Sequence, residues 1–133
     1  MNFRASFCDP FKRDIIELGT VQQDKIIELF ENIPWSELLT KMSTAKPKEI
    51  HYSPSLEIEN QDNQNGISIS AVDETEWYIF FKRPKMVKKF FGLKEKLNQH
   101  YLTEITGQSI EDVKNCLEAL INNDLDFLEE KIK

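Results

Sequence analysis

The first third of the chain carries apolar residues at helical spacing. An Asp-Pro pair at 9–10 has the form of a helix start, a capping oxygen before a residue of preset φ, and Gly19 suits a helix end. The pattern therefore predicts a helix over 10–18. A Thr-x-x-Gln capping box at Thr20 starts a second helix, and a third short helical piece follows Pro34.

From residue 50 the apolar period changes from helical to two, which indicates strands. Runs at 56–59 and 67–71 alternate apolar and polar residues. The loop QDNQNG between them offers Asn and Gly residues that tolerate positive φ, so we predict a β-hairpin. A third strand, rich in β-branched and aromatic residues, is predicted over 76–82. Its two faces carry Trp77, Ile79 and Phe81 on one side, and Tyr78, Phe80 and Lys82 on the other.

Two more helices are predicted after these strands. Pro84 can open the first helix, and Gly107 can end it. Its core-facing stripe would consist of Met86, Phe90, Leu93, Leu97 and Tyr101. Ser109 and Asp112 then cap a last helix. The apolar face of that helix would consist of Val113, Cys116, Leu117, Leu120 and Ile121.

The order of these elements predicts an α+β fold. It would have N-terminal helices, a three-stranded antiparallel meander at about residues 50–83, and two C-terminal helices packed on the sheet. The 133 residues suit one domain, 1–133, with a single hydrophobic core. The exposed edges of a three-stranded sheet leave both a monomer and a homodimer open.

Composition narrows the class of partner. The net charge of −6 disfavours general affinity for nucleic acid or anionic lipid and favours a cationic partner. Two cysteines, Cys8 and Cys116, give no disulfide framework and suit a reducing compartment. No apolar run approaches the length of a signal peptide or a membrane span, so we expect a cytoplasmic protein without a membrane partner.

The charge is unevenly distributed along the chain. The segment 82–96 holds seven basic residues and one acid, a net +6, whereas ten basic and 22 acidic residues elsewhere give −12. On the predicted helix, Lys85, Lys89 and Lys96 would share one flank. Tyr78 and Phe80 would form an exposed platform beside Lys82 and Arg83 if helices cover one face of the sheet, and would be core if helices cover both. We favour the core interpretation.

Acidic residues concentrate in the hairpin region. From Glu49 to Phe81 there are seven acids and no Lys or Arg. Glu57 and Glu59 alternate with apolar residues, so they share one strand face, and Asp62 lies in the hairpin loop. A basic partner could be attracted to this surface.

Motifs for catalysis and cofactors are missing from the sequence. His51 and His100 have no Cys or His neighbour at metal-ligand spacing. The four glycines stand singly, which excludes both common phosphate-binding loops, and neither Gly-x-Ser-x-Gly nor Cys-x-x-Cys occurs. QDNQNG fails as a calcium loop because Gln61 and Val72 would hold its first and last ligand positions. We therefore predict no cofactor, no metal and no catalytic residue.

Three hypotheses of function follow. The first is a non-catalytic domain that binds another protein through Glu57, Glu59 and Asp62. In one version of this hypothesis the partner is basic and the domain acts as an inhibitor or immunity-type protein. The second is binding of nucleic acid or a phosphate ligand, through the cations Lys82, Arg83, Lys85, Lys89 and Lys96. The third is an enzyme or small-ligand pocket near His100 and Tyr101.

Overall fold

The computed structural model describes residues 2–89 and 94–133. Within these residues the chain forms six strands, four α-helices and two short 3₁₀ turns. The strands are β1 (Phe3–Cys8), β2 (Ile16–Val21), β3 (Ser55–Asn60), β4 (Gly66–Ala71), β5 (Trp77–Lys89) and β6 (Lys94–Gln108). The helices are α1 (Ile26–Asn32), α2 (Trp35–Thr44), α3 (Ile110–Ile121) and α4 (Leu125–Lys131). None of the described helices has the length and apolar character to cross a membrane.

All six strands join one antiparallel sheet in the order β2-β1-β3-β4-β5-β6. Helices α1 and α2 connect β2 to β3, and α3 and α4 follow β6. The α+β class is confirmed. The predicted three-stranded meander is wrong, because β3, β4 and β5 are only the middle of a sheet that β1, β2 and β6 extend on both sides.

The predicted helix over 10–18 is wrong. The Asp9 carboxylate accepts a hydrogen bond from the Phe11 amide at 2.9 Å, and the Asp9 carbonyl accepts one from the Lys12 amide at 3.1 Å, so Asp9 closes a turn. Gly19 has a φ of +78°, and it lies where the pairing of β1 with β2 shifts by one residue. This glycine therefore serves a β-bulge, a role that needs the same positive φ as a helix end.

The predicted helix after Pro84 is also wrong, because β5 runs on through the proline. Pairing of β4 with β5 ends at Lys82, so the missing amide of Pro84 costs no hydrogen bond on that side. Residues 83–89 pair only with β6, and Met86 lies opposite Leu97 with both side chains exposed. Phe90 and Leu93 lie outside the described residues. The predicted helical flank of Lys85, Lys89 and Lys96 is wrong, because Lys85 and Lys89 belong to β5 and Lys96 to β6.

The remaining predicted helices are confirmed, and so are the hairpin and the two faces of β5. The capping box predicted at Thr20 is wrong, because Thr20 lies in β2 and α1 begins at Ile26 without a side-chain cap. The Ser109 hydroxyl accepts a hydrogen bond from the Asp112 amide at 3.1 Å, and the Asp112 carboxylate accepts one from the Ser109 amide at 3.0 Å. All five residues predicted for the apolar face of α3 are buried. The capping box at Ser109 depends on neighbours in sequence alone, whereas Thr20 carries a similar signal but pairs with Arg4 in the sheet.

A single layer of helices covers the sheet. Residues of α1, α3 and α4 share one buried cluster with alternate residues of β1, β3, β4 and β5. At one end of this core the rings of Phe30, Trp35 and Trp77 pack with centroids 5.0 to 5.7 Å apart. Apart from Gly66, the intervening residues of β3, β4 and β5 up to Lys82 are partly or fully exposed, and none of the described helices covers this second face of the sheet.

Arg83 is the one buried side chain with a full charge among the described residues, and it links β5 to α4. Its guanidinium donates two hydrogen bonds of 2.8 Å to the Glu129 carboxylate, one to the Phe81 carbonyl and one to the Thr103 hydroxyl. It also stacks over the rings of Phe81 and Tyr101, at 4.2 and 4.6 Å from their centroids. The charge is therefore fully partnered despite its burial.

Removing the charge partner of Arg83 should destabilise the protein. We expect Glu129→Gln to lower the free energy of unfolding by about 2 kcal/mol, because the buried guanidinium loses its counter-charge and the amide NH2 cannot accept one of its two hydrogen bonds. Glu130→Gln is the matched control on the same helix, since its pair with Lys133 is exposed, and it should cost about 0.5 kcal/mol or less. Urea unfolding of both variants checks this.

The same pair gives a pH test. Hydrogen bonds from Arg83 lower the pKa of Glu129 below its ordinary 4.5. The stabilisation is therefore complete above that value and is lost as the pH falls through the lower folded pKa. The stability difference between wild type and Glu129→Gln should shrink as the pH drops below 4.5. A difference that stays constant would show that the charge of the Glu129 carboxylate does not contribute to stability.

Candidate interaction surface

The open face of the sheet is built of three cross-strand rows. Residues paired across antiparallel strands point to the same side, so the strand register defines each row. The first row is Thr20, Arg4, Glu59, Gly66, Lys82 and Leu102. The second row is Glu17, Ser6, Glu57, Ser68, Phe80 and Glu104. The third row is Cys8, Ser55, Ser70 and Tyr78.

Small residues occupy the middle of these rows. Strand β4 contributes only Gly66, Ser68 and Ser70 to the open face, while β3 and β5 on either side contribute longer side chains. The result is a shallow trough along β4. Its floor lies between glutamates on one side and aromatic and lysine side chains on the other.

Lys82 joins both predicted acidic residues in one charge cluster. Its ammonium lies 3.2 Å from Glu59 and 3.5 Å from Glu57. Burial disfavours the ammonium, but the hydrogen bond to Glu59 and the charges of both glutamates outweigh this effect and raise the pKa of Lys82. Two carboxylates share one cation, so the cluster keeps a net charge of −1. Glu57 has the longer contact and is 46% exposed, against 25% for Glu59.

An apolar strip follows the β5–β6 hairpin on the same face. We define it as Tyr78, Phe80, Met86, Leu97 and Leu102. Leu102 is 57% exposed, Met86 54% and Leu97 44%, and Phe80 is half-buried. The interpretation of Tyr78 and Phe80 as core residues was wrong, because helices cover only the other face.

A cavity of about 330 Å³ opens where the trough meets the apolar strip. It is lined by Glu57, Gly66, Ile67, Ser68, Phe80, Lys82 and Leu102. A second, polar depression of about 260 Å³ lies on the β1 side of Glu57 and includes Arg4, Glu17 and Glu59. Glu57 and the trough therefore separate an apolar half of the open face from a polar half.

Five of the predicted site residues form two groups, and the other three belong to neither group. Glu57, Glu59 and Lys82 come together on the open face. Arg83 and Lys85 bind Glu129 on the helix-covered side. Three others are separate: Asp62 lies in the hairpin turn and accepts a hydrogen bond from the Asn2 amide, Lys96 is exposed on β6, and the side chain of Lys89 lies outside the description.

This division bears on the hypothesis of nucleic-acid binding. That hypothesis requires Lys82, Arg83 and Lys85 to form one continuous basic surface with Lys89 and Lys96. Lys82 faces away from Arg83 and Lys85, and each of these three cations is already paired with a glutamate. These described residues do not provide the free, continuous patch that phosphate contacts need.

The hypothesis of a pocket near His100 finds little geometric support. His100 is exposed on the far part of β6 and lines neither cavity described above. Tyr101 stacks on Arg83 as part of the buried ion-pair site. Across residues 2–89 and 94–133, no three His, Cys, Asp or Glu side chains are grouped closely enough to hold a metal ion.

Sequence reasoning missed the apolar strip beyond Phe80. The helical pattern places Met86 and Leu97 on a helix and does not single out Leu102, although all three are exposed on strands. The run YLTEIT at 101–106 carries a strand signal, because it contains one aromatic and three β-branched residues. The stripe of apolar residues at helical spacing obscured it.

Comparison of the chain with family models, curated proteins and solved structures finds no significant match. Function is therefore inferred from the geometry of the open face alone.

The two thiols should be poor nucleophiles in the folded protein. Burial raises the pKa of Cys116 to about 11, and burial together with the charge of Glu57 raises that of Cys8. We expect Cys116 to react with Ellman's reagent at neutral pH only after unfolding, because its thiol is both buried and protonated. Cys8, which is partly exposed, should react slowly. Rapid labelling of Cys116 in the native protein would contradict the structure at this position.

Proposed function

We propose that this protein is a non-catalytic binding module of the cytoplasm, which binds a basic protein through the open face of its sheet. The observation that carries the proposal is the apolar strip beside a charge cluster with a surplus carboxylate. Both lie on a sheet face that the described helices leave uncovered.

The apolar strip supplies the area for contact. Exposed apolar side chains are ordinary when scattered, but a contiguous group rimmed by polar residues is typical of a protein-binding site. The strip includes one Tyr, one Phe and one Met, types enriched at protein interfaces. Met86 pairs with Leu97, and farther along the hairpin Leu102 lines one cavity with Phe80.

The charges of the open face favour a cationic partner. Its three rows hold Glu17, Glu57, Glu59 and Glu104 against Arg4 and Lys82, a net charge of −2. Such a surface attracts a basic protein before contact and disfavours anionic ones. An inhibitor or immunity-type protein that covers a basic toxin or nuclease would work in this way.

A substitution within the apolar strip tests the contact area. We expect Leu102→Glu to abolish capture of the partner from a lysate of the host, because a carboxylate would be desolvated inside the interface. Leu102 is 57% exposed, so the variant should fold. Ile110→Glu is the matched control, since Ile110 is 47% exposed on the first turn of α3, where an acid is favourable.

The capture is run with and without nuclease. A protein that remains after nuclease treatment with wild type and Ile110→Glu, but is absent with Leu102→Glu, supports the proposal. A partner retained equally by all three proteins places binding elsewhere. Material that disappears with nuclease would show nucleic-acid binding instead.

The charge contribution has its own test. We expect the double variant Glu57→Gln/Glu59→Gln to slow association with the captured partner and to weaken the salt dependence of binding, because the open face loses two negative charges. Glu118→Gln/Glu130→Gln removes the same charge from exposed positions on α3 and α4 and should have less effect. Equal effects of the two pairs would show that only net charge matters. Surface plasmon resonance at low and high salt measures both quantities.

A further inference from the structure

We infer that the cavity over Ser68 receives an arginine side chain of the partner. The guanidinium would lie between the Phe80 ring and the Glu57 carboxylate. This inference rests on the proposed function and names the chemical group that the open face selects.

The second cross-strand row sets the dimensions of this site. Glu57, Ser68 and Phe80 are neighbours on β3, β4 and β5 and point to the same side. Adjacent strands are about 4.8 Å apart, so Glu57 and Phe80 stand about 10 Å from each other across the small Ser68 side chain. We place the guanidinium above Ser68 with its flat face toward the Phe80 ring and its N–H edge toward the Glu57 carboxylate.

The walls of the cavity suit the stem of an arginine. Leu102 and Gly66 belong to the adjacent row and line the same cavity as Phe80. An apolar wall beside a single carboxylate accommodates the methylene groups while the charged head reaches Glu57. A purely apolar side chain would partly desolvate that carboxylate and leave it with only its 3.5 Å contact to Lys82.

Glu57 is the carboxylate that is free to accept a second cation. Lys82 also lines the cavity, but its ammonium is closer to Glu59, at 3.2 Å, than to Glu57, at 3.5 Å. When an incoming guanidinium takes Glu57, Lys82 keeps its contact with Glu59. Each carboxylate then has one cation, and the surplus negative charge of the cluster is neutralised.

The chain uses the same combination of groups on the other side of β5. There the Arg83 guanidinium lies 4.2 Å from the centre of the Phe81 ring and binds Glu129 through two hydrogen bonds of 2.8 Å. Phe80 is the next residue along the strand and faces the opposite way. Arginine is favoured over lysine because its planar head both stacks on a ring and pairs bidentately with a carboxylate.

The inference is tested by NMR titration of the labelled protein with N-acetyl-arginine amide. The neutral isostere N-acetyl-citrulline amide is the matched probe, and N-acetyl-lysine amide compares the two cations. We expect the arginine compound to shift the amide signals of Ser68, Phe80 and Leu102 with a Kd of about tens of millimolar, and citrulline to bind about tenfold more weakly. Lysine should fall between them.

Variants locate the charge that matters. Glu57→Gln should reduce the affinity for the arginine compound about tenfold, whereas Glu17→Gln, which removes a charge from the same row beyond Ser6, should leave it within about twofold. The amide spectrum of each variant also reports whether the fold is intact.

Equal binding of arginine and citrulline, equal effects of the two variants, or shifts confined to other residues would overturn the inference. The outcome is separate from that of the proposed function. Loss of a captured protein by Leu102→Glu together with no binding of the arginine compound would reject the arginine site alone. Binding of the compound with no partner lost by Leu102→Glu would reject the larger interface.

Discussion

The open face depends on the buried contacts of Arg83. This residue holds β5 against α4 through Glu129 and against β6 through Thr103. Because side chains alternate along a strand, placing Arg83 and Phe81 on the helix-covered side places Lys82 and Phe80 on the open side. A slip of one residue would exchange the two sets and bury Lys82 beside the helices. The ion pair therefore favours, together with the buried side chains of Trp77, Ile79 and Phe81, the register that presents Lys82 and Phe80 to solvent.

Local signals in the sequence predicted several elements correctly. The capping box at Ser109, the β3–β4 hairpin and the two faces of β5 each depend on residues close together in the chain. The grouping of Glu57 and Glu59 followed from alternation within one strand. Their contact with Lys82 did not, because it requires the register of three neighbouring strands, and that register is set by tertiary packing.

The wrong predictions came from sequence signals that are compatible with two kinds of local structure. A positive φ at Gly19 serves a β-bulge as well as a helix end, and Asp9 closes a turn with the same oxygen that could cap a helix. Pro84 is compatible with a strand only where no neighbour needs its amide, and the end of β4 pairing at Lys82 provides that place. The extent of β4 is a long-range property, so no window around Pro84 could reveal it. For this reason the sequence did not indicate Leu102 as a residue of the candidate site.

Selectivity of the open face comes from the sides of the trough. On its floor, the hydroxyls of Ser55 and Ser70 are 2.6 Å apart and hydrogen-bond each other, so neither requires a polar group from a ligand. Gly66 has no side chain, so backbone forms the floor of the trough between Glu59 and Lys82. The chemical demands on a partner therefore arise at the edges, where Phe80 offers a ring and Glu57 a carboxylate only partly neutralised by Lys82. A surface of this kind penalises a ligand that brings only charge or only apolar area, because either one leaves half of the cavity unmatched.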